Sequence, residues 1–130
     1  MNNNDFYNID DSFKSSDLRL AALENFGASL NSIGYLLISI SAKTEYRNLI
    51  RDEESFPSPI ELLIKGQLLI LLGYYILWLV ANNRVISEEL KESNVVSSHK
   101  KIEASYLISI FANALRLEAF FEIFQDETIE

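Results

Sequence analysis

The chain contains no cysteine, which removes disulfides, thiolate metal sites and thiol catalysis from consideration. Glycine and proline are scarce as well, four and two among 130 residues. A sheet protein of this length needs many more turn residues, so the class expected is all-α. Positive charge is in deficit: 11 Lys and Arg face 19 Asp and Glu, a net charge of −8. An acidic protein of this kind has little attraction for phosphate backbones. It also lacks a basic, aromatic surface, so nucleic acid is not an expected partner. The opening MNNNDFYNIDD has neither the basic nor the apolar region of a signal peptide, and a cytoplasmic setting is expected. The single histidine, His99, stands beside Lys100 and Lys101 and reads as solvent-facing. It cannot build the repeated Glu-x-x-His sites of di-iron bundles, and no second ligand lies near it at zinc spacing.

What the chain does have is one long apolar stretch, IELLIKGQLLILLGYYILWLVA at 60–81, uncharged from Leu68 onward. Every side of a helix drawn through it is apolar. Such a helix is either the centre of a bundle, covered all round by protein, or a membrane span. The length allows one domain with a real core, and the rest of the chain reads as cover for this element.

Three long antiparallel helices are expected, at about 17–53, 59–93 and 99–125. Residues 1–14 are polar and acidic and read as a mobile tail. Ser15 or Ser16 offers an N-cap, and Asp17 puts negative charge in the first turn. In the first helix Leu23, Phe26, Leu30, Ile33, Leu37 and Ile40 alternate steps of three and four. Asn25, Ser29, Ser32, Ser39 and Lys43 occupy the opposite side. The linker Ser55-Phe56-Pro57-Ser58-Pro59 bars the α conformation ahead of each proline and lets Pro59 open the second helix. Asn94 to Ser98 forms the second turn, with Ser97 or Ser98 as the next cap. The third helix carries Leu107, Ile110, Ala114, Leu117, Phe121 and Phe124 as its stripe. The bundle domain therefore covers 15–126, and 127–130 is a frayed acidic end.

All four glycines fall inside helices, where each costs about 1 kcal/mol relative to alanine. They form two pairs spaced by seven, Gly27 with Gly34 and Gly66 with Gly73. The same seven-residue series continues to Ser41 and to Val80. A hairpin turning at Pro57 sets Gly27 against Ser87, Gly34 against Val80, Ser41 against Gly73, and Asn48 against Gly66. These small residues predict a seam along which the two backbones approach closely.

Two flanking helices cannot cover a helix that is apolar all round, so homodimerisation is expected to complete the bundle. Gln67, Tyr74, Trp78 and Ala81 point away from the seam and are the candidate dimer interface. The function this implies is non-enzymatic: a helical interaction or structural protein working through protein–protein contacts. Its protein partner is not legible. The alternative is a small membrane protein with a transmembrane hairpin at about 26–42 and 60–81. Lys65 and Gln67 in the second span, and the serines and asparagines of the first, speak against that.

No catalytic, cofactor-binding or metal-binding set converges. Glu118, Glu122 and Asp126 stand at i, i+4 and i+8 on the edge of the apolar arc. They read as a solvated ridge rather than an acid/base or metal site partnered by Lys65.

Overall fold

A computed structural model describes residues 3–129, with side chains from Ser12 onward apart from Phe13. The described residues form three α-helices and no strand: α1 Asn3–Arg51, α2 Pro59–Leu90 and α3 Val96–Ile129. They pack as a row with α2 in the middle. It lies against α1 on one side and α3 on another, and α1 and α3 do not approach each other closely.

The backbone is helical from Asn3, several turns ahead of the expected start near Asp17. Segment 1–14 therefore continues α1 as far as it is described; Met1 and Asn2 lie outside the described residues. Residues 127–129 likewise extend α3, and Glu130 lies outside.

The start of α2 follows from local chemistry. Ser58 holds extended backbone and caps the helix, with Pro59 in its first turn. The Glu61 amide donates to Ser58 Oγ at 3.4 Å, and the Ser58 amide donates to Glu61 Oε2 at 2.9 Å. That reciprocal pair satisfies two amides that otherwise lack partners. α3 begins at Val96, so Ser97 and Ser98 lie inside its first turn instead of capping it.

The first two helices end in the same way. Asp52 and Glu92 take a positive φ of 51°, and the next amides reach back five residues, Glu53 N to Asn48 O at 3.2 Å and Ser93 N to Glu88 O at 3.1 Å. This is the Schellman ending, usually made with glycine at the left-handed position. A side chain there costs about 1–2 kcal/mol. Glu92→Gly is accordingly expected to raise stability by about 1 kcal/mol, read as a higher urea midpoint at unchanged slope.

The glycines meet, but in a different register from the expected one. A Cβ built on Gly27 would lie 3.0 Å from Gly73 O, and one on Gly34 would lie 2.5 Å from Gly66 O. Ser41 Oγ donates to Pro59 O at 2.6 Å. Gly27 thus faces Gly73, Gly34 faces Gly66 and Ser41 faces the start of α2. The hairpin is slid two heptads from the pairing that a turn centred on Pro57 implies. The linker explains the shift. α1 runs on for about 15 Å beyond Ser41, and the seven residues 52–58, which can span up to roughly 23 Å, fold back along it. Asn48 Nδ2 holds that return by donating to Ser55 Oγ at 2.9 Å.

Candidate interaction surface

α2 has three sides, and each has a different fate. The first meets α1. Gly66, Ile70, Gly73, Leu77 and Val80 are buried there, and Ile70 and Leu77 lie directly over Gly34 and Gly27. Among the described side chains of α1 the buried positions are Gly27, Gly34 and Ser41. All six seam residues expected from the sequence are therefore buried, while the large residues Phe26, Ile33 and Ile40 stand beside the seam, exposed. Glycine lets the α2 backbone into the centre of the contact, so bulk is pushed to its flank.

The second side meets α3, and it is the side expected to close a dimer. Gln67 is fully buried and donates from Nε2 to Asn113 Oδ1 at 2.8 Å and to Asn113 O at 3.2 Å. Tyr74 packs against Tyr106 with ring centroids 6.3 Å apart and the rings tilted by 44°. Ala81 is buried, and Trp78 is half-buried. Intramolecular packing has thus claimed Gln67, Tyr74 and Ala81, and they are not available to a second chain. The reason is the amide: Gln67 inside an apolar run needs a polar group opposite, and Asn113 supplies it. That pairing also rotates α3 from its expected stripe. His99, Tyr106, Asn113, Leu117, Phe120 and Phe124 turn toward α2, while Leu107 and Phe121 are left exposed. His99 is half-buried rather than solvent-facing, in a groove of about 320 Å³ shared with Glu24, Arg84 and Tyr106.

Polar groups line the gap between α1 and α3. Arg84 pairs with Glu24 at 2.6 Å. Hydrogen bonding to Tyr35, followed by burial, raises the Tyr74 phenol above its ordinary pKa. Asn31 Oδ1, Gln67 Oε1 and Trp78 Nε1 are buried without a hydrogen-bond partner. These groups are spread along the bundle and do not converge on one reacting centre. At the other end a cleft of about 790 Å³ opens beside the α2 cap, with Glu53, Glu54, Glu61 and Glu127 on its walls. Among the described residues no three metal-ligating side chains come together. Glu118, Glu122 and Asp126 are exposed.

No other described helix packs on the third side of α2. Leu68, Leu72, Tyr75 and Leu79 form one stripe at steps of four, three and four, exposed by 45%, 48%, 47% and 36%. An almost wholly apolar groove of about 570 Å³ runs beside it toward Ile110 and Ala114 of α3. On the other flank stand Phe26, Ile33 and Ile40 of α1. Tyr35, which meets Tyr74 on the α3 side, lies nearly opposite them on the α1 wheel, so they border the open side of α2. The stripe thus has an apolar border on both flanks, Ile110 and Ala114 of α3 on one and Phe26, Ile33 and Ile40 of α1 on the other. No sequence contrast marks this stripe within an all-apolar helix. The available signal was Gln67: an amide in such a run belongs on the side covered by protein, which leaves the far side open.

Comparison with known proteins gives no match of any kind: no family model fits the chain, and no curated protein or solved structure is similar to it.

Proposed function

We propose that this protein is a non-enzymatic helical interaction or structural protein, cytoplasmic, acting through protein–protein contacts on the open side of α2. One observation carries the reading: the half-exposed stripe Leu68, Leu72, Tyr75 and Leu79, set between apolar flanks. Monomers rarely leave a contiguous apolar patch above a few hundred Å² in water. Asn25, Ser29, Ser32, Ser39 and Lys43 on the outer side of α1 are all exposed, which suits water there, although Leu36 on α1 and Ile108, Phe111 and Leu115 on α3 are exposed away from α2 as well. Fractionation without detergent tests this. The parent is expected to stay soluble, and Leu72→Glu, which puts a charge in the middle of the stripe, is expected to leave the chain folded while abolishing any complex made through that face.

A second reading rests on α2 itself. It is the one described helix long and apolar enough to cross a membrane, and only 33% of its apolar window is buried. The hairpin 26–42 with 60–81 would then span the bilayer. The glycine register weighs against it, because it places Arg19 level with Ala81 and Glu24 level with Ile76, inside the apolar half of the second span. Charges at such a depth are expensive. Recovery of the parent only in detergent would favour this reading.

A further inference from the structure

Taking the interaction reading of the open face as its basis, we infer that the occupant is a second copy of this chain, its α2 antiparallel across a two-fold axis between Leu72 and Tyr75. The stripe is self-complementary about that point. A rotation there brings Leu72 onto the partner's Tyr75 and Leu68 onto the partner's Leu79. One step beyond the apolar run on each side stand Lys65 and Asn82, and the same rotation sets Lys65 against the partner's Asn82. The ammonium of one copy donates to the amide oxygen of the other at both ends. Mutual contact of this kind, i with j and j with i, is what a two-fold interface requires. A parallel arrangement instead stacks Lys65 on Lys65, two like charges at the edge of a dry contact.

Area supports the same occupant. Each half-exposed apolar side chain of this size holds roughly 80–100 Å² of uncovered surface. The four on α2, with the flanking residues on α1 and α3, approach the roughly 800 Å² per partner of a stable interface. The flanks bring the contact to that size, since the α2 stripe alone supplies about half of it.

The absence of cysteine gives a direct test. Lys65→Cys and Asn82→Cys are made as separate single variants of the full chain. In the antiparallel pair, identical positions lie about 25 Å apart along the helix, beyond disulfide reach. Each variant alone should therefore stay uncrosslinked under mild oxidation, and the equimolar mixture should form the mixed disulfide dimer. Sedimentation of the parent runs alongside. Crosslinking of either variant with itself overturns the antiparallel pairing, as does a dimeric parent whose mixture fails to couple; both leave the interaction reading standing. A monomeric parent overturns the second copy as occupant and leaves the face to a different protein. A parent held in the membrane fraction overturns this inference and the interaction reading together.

Discussion

Gly34→Ala is expected to destabilise the protein by about 1–3 kcal/mol, although alanine is the better helix former by about 1 kcal/mol. The added methyl would sit 2.5 Å from the backbone oxygen of Gly66, 2.6 Å from Ile70 Cγ1 and 3.0 Å from the Ile70 amide. A side-chain tip can swing aside, but a helix backbone cannot yield locally. The whole of α2 has to retreat from α1, and the contact on either side loosens with it. Gly27→Ala is the internal control. Its Cβ would meet Gly73 O at 3.0 Å and two side-chain carbons at 3.1 and 3.2 Å, so a shift of a few tenths of an ångström accommodates it. Gly34→Leu leaves no such route and is expected to cost about 3 kcal/mol or more. Gly66→Ala crowds the same contact from the other helix, 2.7 Å from Gly34 O. Combined with Gly34→Ala it should cost less than the sum of the singles, because one retreat of α2 relieves both clashes. Urea unfolding of the five variants checks the set. Equal midpoints for Gly27→Ala and Gly34→Ala would show that backbone proximity is not what separates them.

The glycines also show how far the sequence could be read. Two pairs spaced by seven on antiparallel helices can all meet in one register only: Gly27 on Gly73 and Gly34 on Gly66. That register was already implicit in the spacing. The turn-centred pairing missed it by assuming that both helices stop at the linker, whereas α1 overshoots and 52–58 doubles back. The all-helical class and three-helix order were legible because glycine and proline are few and the periodicity is helical throughout. Facing was harder. Leu107 and Phe121 fit the heptad of α3 as well as any residue, yet both are exposed. The rotation that exposes them is set by a polar contact across 46 residues, Gln67 with Asn113. Hydrophobic periodicity within one helix carries no information about such a pairing. The same contact moved the candidate interface from the Gln67 and Tyr74 side to Leu68, Leu72, Tyr75 and Leu79.

That contact yields a second large effect, and its sign depends on which partner is removed. Asn113→Leu is expected to destabilise by about 1–3 kcal/mol, since it takes away an acceptor while leaving the donor buried. Gln67 is fully buried, its Oε1 already lacks a partner, and only Asn113 O at 3.2 Å would remain for Nε2. No water can reach the amide without opening the α2–α3 contact. Gln67→Met acts differently. It keeps the shape, removes the unpartnered Oε1, and leaves Asn113 Oδ1 within 3.4 Å of Arg116 Nη1, with Asn113 Nδ2 still donating to Ser109 O at 2.7 Å. Its expected effect is about 1 kcal/mol or less in either direction. Gln67→Met with Asn113→Leu removes both members and should recover most of what Asn113→Leu loses, because nothing polar is then left stranded between the helices. A double variant as unstable as Asn113→Leu alone would mean that the leucine fails on shape and that the hydrogen bond is not what positions α3.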